Sequence, residues 1–157
     1  MFDLVALLII LVTCFSVAGL GGATTRPALE GWYRNLRKPS WNPPNWAFPV
    51  AWSLLFLLMA VAAWLVWRER GHPLAWWGLG LFALQLAGNA LWSFLFFGKR
   101  SPGAALVEVV PFLGVIVATA FLFHAVTPLA GWLLAPYIAW VSFATVLNFE
   151  IWRLNRG

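Results

Sequence analysis

The side chains best suited to hold a ligand are carboxamides and aromatic rings set at helical spacing. Gln85, Asn89 and Trp92 fall at i, i+4 and i+7, and Tyr137, Trp140, Ala144 and Asn148 form a second such face. Amides orient a bound molecule and ring faces stack on it, but neither breaks bonds unaided. The parts of a hydrolytic or phosphoryl-transfer site are missing: no nucleophile–base pair, phosphate loop or zinc spacing occurs, and Ser, His and acidic residues do not converge. Glu108 and Glu150 are the acids in or beside apolar runs, where a carboxylate is a candidate for function. Glu150 stands within one turn of Arg153, which suggests a local ion pair. Glu108 follows Lys99 and Arg100 by two turns and is open to a proton-relay or a structural role. Cys14 is the single cysteine, so neither a disulfide nor a thiolate metal site forms within one chain. His72 and His124 read as interface histidines, and no metal site and no obligatory cofactor are expected.

The elements that position these residues follow from hydropathy. Of 157 residues 62% are hydrophobic and 10% charged, too little polar surface for a water-soluble domain of this size. A bilayer core about 30 Å thick needs roughly 20 apolar residues per helix. Uncharged runs of that length lie between Asp3 and Arg26, between Lys38 and Arg68, and between Arg70 and Lys99. The run from Val109 to Phe149 is about twice as long as one crossing needs, so it must turn back, and His124-Ala-Val-Thr-Pro128 is the natural corner. The chain is therefore read as an all-α integral membrane protein, one domain, a bundle of five transmembrane helices. The spans are placed at about 4–24, 46–67, 74–97, 103–124 and 129–152, with loop 25–45 as a lid.

Orientation follows from basic residues, which collect on the cytoplasmic side. Arg26, Arg34, Arg37, Lys38, Lys99, Arg100, Arg153 and Arg156 fall on one side, Arg68 and Arg70 on the other. This puts the N-terminus outside and the C-terminus inside. The net charge of +5 then reads as topology rather than nucleic-acid binding. The first segment ends in small residues, as a cleaved signal does, but it lacks a basic leader and is longer than a signal core.

Pro49 suits the first turn of the second helix, whereas Pro111 and Pro136 fall inside spans and predict kinks that leave room between helices. Ala83 and Ala87 in the third span, and Gly114 and Ala118 in the fourth, permit close helix contact within one chain or in a homodimer. Of the 12 tryptophans, Trp64, Trp67, Trp76, Trp77, Trp132 and Trp152 occupy positions of interfacial belts. Trp52 and Asn89 lie deeper, about 10 and 13 Å from the inner face at ~1.5 Å per residue. Tyr137, Trp140, Ala144 and Asn148 descend toward the same level, and Gly19, Gly21, Gly22 and Ala23 add little bulk there. These positions predict either an aromatic pocket in the inner half of the bundle or a packed core in which Gln85 and Asn89 bond to neighbouring helices.

Gly31-Trp-Tyr-Arg-Asn-Leu-Arg-Lys-Pro-Ser-Trp-Asn-Pro-Pro44, with Ala51-Trp52, Asn89-Ala-Leu-Trp92, Pro136-Tyr-Ile-Ala-Trp140 and Asn148-Phe-Glu150, resembles the tryptophan-rich sensory protein or translocator protein family, also called the peripheral benzodiazepine receptor family. The resemblance spans nearly the whole chain and suggests a bacterial member in the cell envelope. It implies a five-helix bundle whose pocket opens toward the first loop and binds porphyrins such as protoporphyrin IX, with sterols and benzodiazepine-site ligands also reported for the family. Matching motif positions imply ligand contacts at Ala23, Tyr33, Pro43, Trp52, Asn89, Trp140 and Ala144, to which helical spacing adds Trp92, Tyr137 and Asn148. Trp52 and Trp140 match the tryptophans linked to light-dependent porphyrin breakdown in bacterial members. The family's sterol motif is altered, because Leu147 to Arg153 carries Phe149 where tyrosine is expected. With no histidine in the inner half, a metal-free porphyrin fits better than haem. The expectation is a membrane receptor for tetrapyrroles, with a porphyrin-degrading enzyme or a tetrapyrrole or sterol transporter as alternatives.

Overall fold

The computed structural model describes residues 2–156, and among these every regular element is helical. Helix α1 runs Phe2–Glu30, α2 Ala47–Arg68, α3 Ala75–Ser93, α4 Pro102–Val126, α5 Pro128–Leu133 and α6 Ala135–Asn155. Helices α5 and α6 make one crossing, so there are five spans long and apolar enough to cross a membrane. Neighbouring spans run antiparallel, with α1 packed along α2, and α3 and α6 along α4.

Lipid as the outer solvent accounts for the distribution of side chains. Leu4, Val5, Leu8, Ile9 and Val12 of α1 point outward, as do Val107 and Val110 of α4, while Ala60, Ala62 and Ala63 of α2 are fully enclosed. Burial of apolar surface from water does not drive association inside a bilayer; close van der Waals fit does, and small residues permit it. Phe112 of α4 sits against Gly88 and Phe123 against Gly78, so rings fill the notches that α3 leaves. Ala83 and Ala87 are exposed on α3 and take no part in this seam; Gly114 is exposed as well.

The two ends of the bundle are tied differently. At the outer end Trp64 donates its indole N–H to the Asp3 carbonyl at 2.8 Å, and Arg70 pairs with the Asp3 carboxylate at 2.9 Å. At the inner end Asn155 accepts from the Arg37 backbone N–H at 3.0 Å and donates to its carbonyl at 2.8 Å, which fastens the first loop to the end of α6. The eight cations assigned to the inner side lie at this end, and Glu150 meets Arg153 there at 2.7 Å.

Several sequence expectations need correction. The first span does not stop near residue 24: α1 continues through Arg26 and Pro27 to Glu30, so the loop proper is 31–46 and residues 25–30 belong to the helix. At ~1.5 Å per residue, its 29 residues extend about 43 Å, so the helix outruns the hydrocarbon layer. Pro27 withholds one donor, and packing of Ala28 and Leu29 on Tyr33, Phe96 and Phe97 offsets the loss. Pro111 does not interrupt α4, whereas Pro136 follows a break at Leu134 between α5 and α6. A turn of π-helix over Phe94–Gly98 extends α3, and Arg100 then takes a positive φ of 53° before Ser101 caps α4. None of this turn was apparent from spacing.

Candidate functional site

Four helices leave a cavity of about 590 Å³ in the inner half of the bundle, within the ~300–1,000 Å³ usual for ligand sites. Helix α1 supplies one wall from Val17 to Leu29, about 18 Å of its length, with Gly19, Gly22 and Ala23 facing space. A side-chain carbon added at Gly19 or Gly22 would meet nothing within 4 Å. Phe48, Trp52 and Phe56 of α2 form the opposite wall; Asn89, Trp92 and Phe97 close the third side, and Trp140 and Ala144 of α6 the fourth.

Ring contacts fix this lining. Trp52 meets Trp140 edge-to-face with centroids 6.5 Å apart, and Trp140 in turn contacts Phe48 at 6.2 Å and Phe143 at 5.7 Å. Neither the Trp52 nor the Trp140 indole N–H is used in a hydrogen bond among the described residues. Asn89 is oriented from behind, since its Nδ2 donates to the Tyr137 hydroxyl at 3.2 Å while that hydroxyl donates to Gln85 Oε1 at 2.7 Å. The Asn89 carboxamide oxygen accepts from no donor among the described residues, so the lining residues include two unpaired indole N–H groups and one unpaired amide acceptor.

Of the residues singled out by sequence, Ala23, Trp52, Asn89, Trp92, Trp140 and Ala144 come together on the cavity wall. The other four stand elsewhere. Tyr137 is buried behind Asn89, and Asn148 is spent on structure, accepting from Trp92 Nε1 at 3.2 Å and donating to the Pro102 carbonyl at 2.8 Å. Pro43 lines a separate apolar groove of about 520 Å³ between α2 and α6, with Trp140 as the wall common to both spaces. Tyr33 is 2% exposed and packs on Phe96 and Phe97 as the core of the loop. The two readings of the amides thus both hold in part: Gln85 packs within the bundle, whereas Asn89 does so with one side only.

The loop covering the inner end is held by its own polar contacts. Tyr33 donates to Asn42 Oδ1 at 2.7 Å, and Lys38 donates to the carbonyls of Tyr33, Arg34 and Leu36. Burial pushes the Tyr33 phenol up to about 12, an effect that the Asn42 hydrogen bond only partly offsets. Burial likewise moves Lys38 below the usual lysine range. Glu108 remains outside the cavity lining, with one buried oxygen lacking a hydrogen-bond partner among the described residues. Sequence reasoning missed Arg26, Phe48, Phe56, Ser93 and Phe97 of the lining. Their signal was indirect, because each depends on how α1 and the π-turn meet α2.

Comparison with known proteins adds a family to this geometry. Residues 8–153 match the TspO/MBR family. Protein CrtK of Rhodobacter capsulatus is 46% identical over 151 residues, 93% of this chain and 90% of that protein. The translocator protein of Sus scrofa is 44% identical over 147 residues, 90% of this chain and 87% of its own length. The tryptophan-rich sensory protein of Cereibacter sphaeroides is 42% identical over 142 residues, 88% of each.

Proposed function

The chain belongs to the TspO/MBR family, and from that premise we propose that this multi-pass membrane protein is a receptor whose inner cavity binds flat, apolar tetrapyrroles, porphyrins such as protoporphyrin IX among them. The observation that carries the reading is a cavity of about 590 Å³ walled by Trp52, Trp140, Phe48 and Phe56, with Asn89 presenting a free amide oxygen. Aromatic walls stack on a planar ring system, while a few polar groups fix its orientation. The names of the relatives speak of sensing and translocation, and both activities begin with a bound ligand. Titrating protoporphyrin IX into the purified protein and following tryptophan fluorescence tests the reading. Trp52→Ala and Trp140→Ala are expected to weaken binding; unchanged affinity in both would remove the cavity as the site.

The contact between Trp52 and Trp140 favours a second reading, light- and oxygen-dependent porphyrin breakdown at the same site. A distinct product that needs light and oxygen, forms over many turnovers and vanishes in Trp140→Phe supports it. Conversion limited to one equivalent counts against it.

A further inference from the structure

Among the described residues Arg26 is the single charged side chain on the cavity wall, and no acid shares that wall. It stands in the last two turns of α1, about 12 Å along the helix from Ala18 and therefore at the mouth rather than the floor. Its guanidinium makes no ion pair with any described residue, the two ion pairs present being Arg70–Asp3 and Arg153–Glu150. Glu30, one turn further along α1, lies beyond ion-pair distance. The other basic residues of this end either are absent from the lining or, like Lys38, are occupied by backbone carbonyls.

The cavity is thus graded: its depth is mainly apolar and aromatic, with the Asn89 amide and the Ser53 and Ser93 hydroxyls as neutral polar groups, and its mouth is cationic. A neutral ligand would leave Arg26 without a partner. A ligand with a carboxylate on one edge would satisfy it through a two-pronged, charge-assisted contact, which a guanidinium makes better than an ammonium. We propose that Arg26 is the carboxylate-recognition residue of the cavity, selecting flat apolar molecules that carry an acidic edge and seating them with that edge toward the inner surface. For a tetrapyrrole the acidic edge is its pair of propionates. This inference rests on the tetrapyrrole reading above and deepens it, since it sets which end of the ligand enters first.

The experiment compares protoporphyrin IX with its dimethyl ester, which has the same ring and no charge, in the wild type, Arg26→Gln, Arg26→Lys and the cavity-filling Gly22→Leu. The acid is expected to bind the wild type about tenfold more tightly than the ester. Arg26→Gln removes that preference by weakening the acid alone, Arg26→Lys restores part of it, and the acid's salt dependence diminishes with Arg26→Gln. Because Arg26 is exposed, the variant should fold, and thermal unfolding checks that it does. Equal affinity of acid and ester in the wild type, or an equal loss of both in Arg26→Gln, overturns the assignment of Arg26 and leaves the cavity reading standing. Binding of both compounds that Gly22→Leu does not affect overturns the two together.

Discussion

Glycines on two sides of the bundle do opposite things. A side-chain carbon at Gly131 would lie 2.5 Å from His124 Cβ and 2.8 Å from its Cα, and one at Gly88 would lie 2.6 Å from the Phe112 ring. At Gly19 and Gly22 it would enter open space on the cavity wall. In one region the missing side chain lets a neighbour in; in the other it keeps a volume empty. The contrast separates a packed scaffold, where α3, α4 and α5 meet, from a hollow inner end bounded by α1, α2, α6 and the inner end of α3.

Gly131→Ala should break the packed side most severely. The clash includes the α4 backbone, which cannot rotate away as a side chain can, so a loss of about 3 kcal/mol is expected in denaturant unfolding of the detergent-solubilised protein. A melting point like that of the wild type would mean that α5 is free to shift. Tyr137→Phe probes the boundary between the regions, because it strips Gln85 of a donor and Asn89 of an acceptor in a buried setting. A destabilisation of about 2 kcal/mol is expected, together with weaker porphyrin binding as Asn89 loses its orientation. Unchanged stability would show that the pair finds other partners.

Gly22→Leu addresses the hollow side. It should lower porphyrin affinity by at least about tenfold, or ~1.4 kcal/mol, while stability stays level or rises because glycine is a poor helix former. Destabilisation without loss of binding would reverse the roles given to the two regions. The smallest effect concerns the loop over the cavity. Docking holds the Tyr33 phenol neutral to about pH 12, whereas a free tyrosine ionises near 10. The stability from this group is therefore complete below about pH 10 and lost as pH rises toward 12. Cleavage of the loop by an alkali-tolerant protease should increase across that window. Tyr33→Phe should abolish the step.

Much of the fold was legible in residue type alone. Span number, the corner before Pro128 and the clustering of cations at one end all appear in the structure as the charge and hydropathy pattern required. The end of α1 was not legible, because Arg26 and Pro27 are local stop signals that the packing of Ala28 on Phe96 and Phe97 overrides. The candidate site was half legible. Trp52, Asn89, Trp140 and Ala144 share a level and a lining, but Tyr137 and Asn148 share the same helix face as Trp140 and are consumed by hydrogen bonds to α3 and to the start of α4. Phe48 and Phe97 had no period to mark them, since one belongs to the entry of α2 and the other to a π-turn.

The sequence by itself determined that the chain crosses a membrane five times and which end is basic. Transfer of a segment into lipid is close to a sum over its own residues, and charge placement is a property of each loop taken alone. Tertiary structure alone decided that the inner end is hollow, that Asn89 has a free oxygen and that Arg26 borders the space. Whether a glycine is a notch or a void, and whether an amide is satisfied or available, depends on what the neighbouring helix brings within about 4 Å, and no single helix encodes that.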